Sequence, residues 1–232
     1  PEGDNNAGLR TYYSNVMSCI VLAAAMAEKR TGKSYLPELR EQVKKYHDAF
    51  FAEIANIDET CFRAAIHFMD KGLLEVTADG HNFWSGRFVQ AKILELSGDV
   101  CSTIDSENYM HVNSHMCPGS DIAELVILNS NDGNVKNMAN TVNAMVARGQ
   151  REVLLFCDKT PEEVGITEKV IYCHVPVPEK QWNFLAPIYA YLPGSIFAGF
   201  RHTTLGEPMF RGGMDFSFFP ATYCSPMEVV EL

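Results

Sequence analysis

Apolar residues recur at helical spacing through the first part of the chain. Over 8–30 they form one stripe, and the segment stops at Thr31-Gly32-Lys33, a normal helix exit. A second helix is predicted over 35–56, with a proline in its first turn and a charged face directed at solvent. Asp58 is predicted to cap a third helix that runs to Asp70. The chain is therefore expected to open with three helices.

From residue 73 onward, short apolar runs alternate with helical patterns. Such alternation is typical of a parallel sheet with helices on both faces. A last helix over 182–200 contains Pro187 and Pro193 and is expected to bend or break. The pattern predicts an α/β fold, a three-layer α/β/α sandwich with a mainly parallel five-stranded sheet preceded by helices. The predicted strands cover 73–77, 99–104, 123–128, 152–157 and 169–174.

The same pattern divides the chain into three parts. Residues 1–71 are predicted to form a helical linker segment, and residues 72–200 one compact α/β domain. Residues 201–232 are rich in Gly, Pro and aromatic residues and are expected to form an ordered C-terminal tail.

Composition and charge limit the classes of partner that are expected for this chain. Lys and Arg number 19 against 29 Asp and Glu, so the formal net charge of −10 opposes a polyanion, and no nucleic-acid partner is expected. The seven cysteines are scattered without C-x-x-C spacing, which indicates reduced thiols in a cytoplasmic protein. The longest apolar stretch, 16–27, is too short to span a bilayer, so no membrane partner is expected. His111 and His115 with Cys117 have no further clustered ligand, so the sequence predicts no metal site and no cofactor.

Open parallel sheets bind ligands outside the carboxyl ends of their strands. In this chain those ends lead into the loops 78–85, 105–111 and 129–134, which are expected to converge. The last loop offers hydroxyl and amide groups at a helix N-terminus and is a candidate anion cradle; the alternative is an ordinary Asx-type turn. The loop residues predicted to bind substrate are His81, Ser85, Ser130, Asn131 and Gly133.

Two groups suited to proton transfer lie sixteen residues apart. Glu95 is a polar residue within the apolar stripe of its helix, where a partly desolvated carboxylate suits general acid–base chemistry; the alternative is an ordinary exposed Glu. His111, on a predicted polar loop, suits proton donation to a ring oxygen; the alternative is a surface histidine. Together they suit proton shuttling on a sugar.

With this pair and the α/β order, the chain resembles the sugar isomerase (SIS) domain family. The likeness is to the second SIS copy of two-copy phosphosugar enzymes, the isomerase half of glucosamine-6-phosphate synthase and the fructosamine-6-phosphate deglycases. Lys92-Ile93-Leu94-Glu95 matches the K-x-x-E pattern that carries the family's catalytic Glu, and 107–111 matches the spacing of its E-L-K-H segment. The segment 8–12 resembles the linker helix that closes a first SIS copy.

The resemblance implies an enzyme that isomerises or deglycates a 6-phosphorylated ketose, ketosamine or aldose. It implies that Glu95 moves a proton between C1 and C2, that His111 assists ring opening and that Lys92 is a supporting polar contact. It also implies a homodimer, because in relatives the His reaches into a neighbouring subunit's site. A small-molecule sugar phosphate is thus the expected partner.

The chain also departs from the family pattern. Val112-Asn113 replaces the family's Gly-Pro after the His, and 207–213 lacks the lysine expected of the synthase, which favours deglycase-type relatives. The family's Ser/Thr-rich phosphate loop belongs to the first SIS copy. Residues 1–71 are therefore interpreted as the end of such a copy, with phosphate contacts expected outside this chain. The alternative function is a non-catalytic sugar-phosphate-binding or regulatory SIS module.

Overall fold

Two long helices open the chain in the computed structural model, which describes residues 8–116, 121–149, 151–177 and 183–204. Helix α1 (Leu9–Thr31) ends at Gly32, whose φ of 71° and N–H bond to the Glu28 carbonyl at 2.8 Å form a left-handed cap. Helix α2 (Leu36–His67) is continuous, so the prediction that Asp58 caps a separate helix is wrong. The apolar stripe continues through that point, because the neighbouring Ile57 is fully buried in the core.

The centre of the molecule is a five-stranded sheet in which every strand pairs in parallel with its neighbours. The strand order is β2-β1-β3-β4-β5. This confirms the predicted α/β class, and three central strands lie within a residue of their predicted limits because they are buried apolar runs. The strands are β1 (Leu73–Ala78), β2 (Val100–Ile104), β3 (Ile122–Leu128), β4 (Glu152–Cys157) and β5 (Ile171–His174).

Helices cover both faces of the sheet. The face that carries Val76, Leu125 and Phe156 packs against α2, α3 and α6. The face that carries Val126 and Leu155 packs against α4 and α5. Since side chains alternate along a strand, each face of the sheet meets its own helical layer. The remaining helices are α3 (Asn82–Leu96), α4 (Ser106–His111), α5 (Val135–Ala147) and α6 (Tyr191–Thr204).

The last helical segment is interrupted, as predicted from its prolines. A short 3₁₀ helix (Asn183–Ile188) contains Pro187 and gives way to α6 at Tyr191. Near its end α6 carries Arg201, which is 1% exposed and donates hydrogen bonds to Asp99 and to two main-chain carbonyls that follow α2. This arginine joins α6 to the start of β2. The predicted C-terminal tail lies outside the described residues beyond Thr204.

Helix α2 belongs to the same hydrophobic core as the sheet, through residues such as Cys61 and Phe68. Helix α1 instead packs with α2, the 3₁₀ helix and the start of α6 in a smaller cluster, and Ala24 is its one buried residue. The interpretation of 1–71 as the end of a first SIS copy stays a prediction.

Candidate functional site

Glu95 lies on the last turn of α3, on the opposite side from the residues that pack on the sheet. Helix α3 starts directly after β1 and ends before β2, so it runs from the carboxyl edge of the sheet to the amino edge. Val89 and Ile93 face the core and are fully buried. The Glu95 side chain is 34% exposed, and its Oε2 accepts a hydrogen bond from the Lys92 ammonium. The site therefore presents a reachable carboxylate held by a cation one turn earlier.

Lys92 is enclosed by the residues around it. Its side chain is 8% exposed, and Nζ lies 5.1 Å from the centroid of the Phe88 ring. A Cβ added to Gly8, which precedes α1, would lie 3.8 Å from the same nitrogen. The buried cation fixes the orientation of Glu95, because an ammonium removed from water needs an anionic partner.

His111 is the last residue of α4, so the prediction that it lies on a loop is wrong. The helix forms because Asp105 caps it: the Asp105 Oδ1 accepts the Asn108 N–H at 2.8 Å. The imidazole is 72% exposed, and its Nε2 lies 3.0 Å from the Glu107 carboxylate one turn earlier. His111 therefore stands on the surface, open to another molecule.

Glu95 and His111 lie on opposite faces of the sheet. Helix α3 packs with the layer of α2 and α6, whereas α4 packs with α5 on the other side. Within one chain the sheet therefore separates the carboxylate from the imidazole.

The loops that follow β1, β2 and β3 converge at the carboxyl edge, as predicted. Asp79 accepts hydrogen bonds from the Ser106 N–H at 2.8 Å and from the Ser106 hydroxyl at 2.6 Å, and it also accepts one from the Asn134 side chain. Asn82 donates to Asp132 at 3.0 Å. These contacts join the three loops into one polar network. The loops after β1 and β3 each supply two of these residues and the loop after β2 supplies one, and the sequence alone did not single them out.

The loop 129–134 has the geometry of an Asx turn. The Asn131 N–H donates to the Asn129 Oδ1 at 2.9 Å. The Ser130 N–H donates to Asp158 at 2.7 Å, and its hydroxyl donates to the same carboxylate. Gly133 is exposed. The donors of Ser130 are thus engaged by a carboxylate, and substrate binding by this loop stays a prediction.

The two candidates on the first loop have different surroundings. His81 is exposed and immediately precedes α3. Ser85 is fully buried, and its hydroxyl accepts the Ala190 N–H at 3.2 Å between the 3₁₀ helix and α6. Ser85 thus lies within α3 and not in the loop, where it contributes to packing, and substrate binding by His81 or Ser85 stays a prediction.

The described ranges contain no group of three or more His, Cys, Asp or Glu residues arranged to hold a metal ion, and Cys117 lies outside them. Four of the five cysteines in these ranges are buried, and Cys19 is exposed. None of the described helices has the length and hydropathy needed to cross a bilayer.

Comparisons by sequence and by structure give different results. No protein-family model matches the chain, and no curated protein matches it by sequence. Solved structures do match. The C-terminal domain of glucosamine-fructose-6-phosphate aminotransferase from Francisella tularensis superposes with a TM-score of 0.61 at 17% identity, covering 73% of this chain and 45% of that one.

Two further structures have the same fold. Tagatose-6-phosphate ketose/aldose isomerase from Escherichia coli matches with a TM-score of 0.52 at 11% identity, over 69% of this chain and 46% of that one. A protein of Escherichia coli CFT073 in complex with a sugar phosphate matches with a TM-score of 0.52 at 13% identity, over 69% and 83%. The chain has the SIS fold, and it spans less than half the length of the first two structures.

Proposed function

We propose that this protein isomerises or deglycates a 6-phosphorylated ketose, ketosamine or aldose, with Glu95 of one copy and His111 of a second copy as the proton-transfer groups. The observation that carries the proposal is the ion pair of part-exposed Glu95 with buried Lys92, on a chain with the SIS fold. The sixteen-residue separation from His111 adds to it.

Glu95 acts as the base. Its carboxylate removes the proton from C2 of an aldose or C1 of a ketose and returns it to the neighbouring carbon, while the hydroxyl proton moves between O1 and O2. With a ketosamine the same transfer turns the C1 amine into an imine, and water hydrolyses the imine to an aldose and a free amine. Lys92 keeps the carboxylate oriented and supports negative charge that develops on the substrate.

His111 opens the sugar ring. Its imidazole donates a proton to the ring oxygen while the anomeric hydroxyl loses one, which yields the open-chain carbonyl that Glu95 needs. The exposed imidazole at the end of α4 is suited to reach a neighbouring copy. Because the two groups would come from different copies, the proposal requires a homodimer whose sites each contain residues of both copies.

The chemistry is tested by exchange of the substrate C1 or C2 proton with D₂O over a panel of sugar phosphates. Glu95→Gln keeps the shape of the side chain but removes the base, so exchange should fall by about 10² to 10⁴. The matched control is Glu59→Gln, which removes another helical carboxylate paired with a cation, the exposed Arg63. A Glu95→Gln protein as active as the control would refute the assignment.

The composite site is tested by mixing two inactive variants. Glu95→Gln and His111→Asn chains, unfolded together and refolded, form mixed dimers in which one of the two sites keeps both groups. The mixture should regain about a quarter of wild-type activity if the copies associate at random. A mixture no more active than its separate components would show that the sites are not shared.

A non-catalytic sugar-phosphate-binding module is the second candidate function. The observation in its favour is that a single chain holds Glu95 and His111 on opposite faces of the sheet. Thermal-shift titration with the same panel separates the two candidates, because a ligand that binds the folded state raises the melting temperature whether or not it reacts. Stabilisation without proton exchange would favour the binding module.

A further inference from the structure

Two carboxyl groups are buried side by side in the sheet. Glu75 on β1 and Glu124 on β3 are register partners on adjacent parallel strands, and both are 0% exposed. They lie on the face covered by α4 and α5. The neighbouring positions on these strands are apolar, so nothing in the pattern of a buried strand requires acidic residues here.

One buried arginine lies beside Glu124. The Arg151 side chain is 0% exposed, and its Nε lies 3.5 Å from the Glu124 Oε2. Thr77 donates to Glu124 at 2.6 Å and Ser102 donates to Glu75 at 2.7 Å. Burial, and then repulsion by Glu75, raise the pKa of Glu124 well above its ordinary value.

The cluster holds the chain on both sides of His111. Two residues after His111, the Asn113 side chain donates to Glu75 and its carbonyl accepts from Arg151 at 3.0 Å. Two residues before His111, the fully buried Tyr109 ring lies 5.6 Å from the Arg151 guanidinium. The imidazole therefore projects from a segment that is fixed at both ends.

We infer that Glu75, Glu124 and Arg151 form a buried anchor that positions His111 through Asn113 and Tyr109. Stability alone does not account for such a cluster, because a buried ionic group replaced by apolar residues is often neutral or stabilising. The cluster instead provides hydrogen bonds of defined geometry. These bonds fix the position of a segment that apolar packing would leave free to slide. The inference rests on the proposed function for the role of His111, and Asn113 is a positioning residue that does not touch the substrate.

The anchor itself is tested by amide hydrogen exchange. Asn113→Ala and Glu75→Leu each remove the side-chain bond, and the protection of amides 109–113 should fall about tenfold. The matched control is Asn143→Ala, which removes hydrogen bonds to Gly165, Thr167 and Glu168 on the same side of the sheet. Protection at 109–113 that changes no more than in the control would overturn the anchor. Glu75→Gln keeps the acceptor and should retain protection, which gives a second variant if Glu75→Leu does not fold.

The positioning role is tested by comparing two substrates. Asn113→Ala should lower turnover of a cyclic sugar phosphate about tenfold and leave turnover of an analogue locked in the open chain unchanged, because ring opening is the step that His111 serves. Equal losses on both substrates would overturn the positioning role. A wild-type protein with no proton exchange would instead refute the proposed function, and hydrogen exchange would still confirm or overturn the anchor.

Discussion

Gly194 of α6 packs directly against Val89 of α3, and replacing it with alanine tests how the two helices pack. A Cβ at Gly194 would lie 2.7 Å from the Val89 Cγ1 and 3.0 Å from its Cβ, with the other methyl group nearer still. Carbon atoms in van der Waals contact are normally about 3.5 to 4.0 Å apart. Val89 is fully buried and β-branched, so one χ1 rotamer is strongly preferred and the backbones have to separate.

The expected loss follows from two opposing effects. Overpacking of a core costs up to about 3 kcal/mol. Alanine in place of glycine inside a helix stabilises the folded state by about 1 kcal/mol through helix propensity. Gly194→Ala should therefore lower the free energy of unfolding by about 2 kcal/mol. Urea unfolding followed by circular dichroism measures the change as a shift in the midpoint at constant slope.

A matched control lies five residues further along the same helix. A Cβ added to Gly199 meets no atom within 4 Å, so Gly199→Ala should gain stability from helix propensity alone. Val89→Ala combined with Gly194→Ala should cost less than the sum of the single changes, because the first makes room for the second. A Gly194→Ala protein as stable as Gly199→Ala would refute this packing of α6 on α3.

Three further predictions follow from buried charges and from the proposed site. Arg201→Met leaves Asp99 buried without its cation and should lower the free energy of unfolding by about 3 to 5 kcal/mol, which Asp99→Asn in the same chain should partly restore in urea unfolding. Because burial raises the pKa of Glu124 in the folded chain, the stability that this group contributes is fully present below its ordinary pKa of 4.5 and is lost as pH rises toward the folded pKa, by up to about 1.4 kcal/mol per unit. Glu124→Gln should remove that part of the slope in urea unfolding measured at several pH values. Lys92→Met should lower kcat of the proposed reaction more than ligand affinity, as measured by steady-state kinetics beside thermal-shift titration.

Local patterns determined the elements of this fold. The runs that became β1, β3 and β4 are short, apolar and buried on both faces, so composition alone identified them to within a residue. The break before α6 followed from Pro187, which disrupts a helix wherever it is packed. The Lys92–Glu95 contact is also local, because the two residues are one turn apart on the same helix.

The sequence was least informative where the secondary structure or burial of a residue depends on residues that are distant in sequence. Asp58 has the character of a helix cap, yet α2 continues through it because Ile57 is held in the core by other elements. Glu75 and Glu124 are acidic residues on buried strands, and Arg151, the cation beside Glu124, is distant from both in sequence. The hydrophobic periodicity of one segment carries no information about a contact with a residue that is distant in sequence.

The sequence by itself determined the α/β class, the strands and the sixteen-residue separation of Glu95 from His111. The tertiary structure alone decided on which face of the sheet each of the two residues lies. The physical reason is that a right-handed crossover places each connecting helix on the face set by the strand order. The strand order in turn depends on the packing of the whole chain. That arrangement separates the two residues within one copy of the chain.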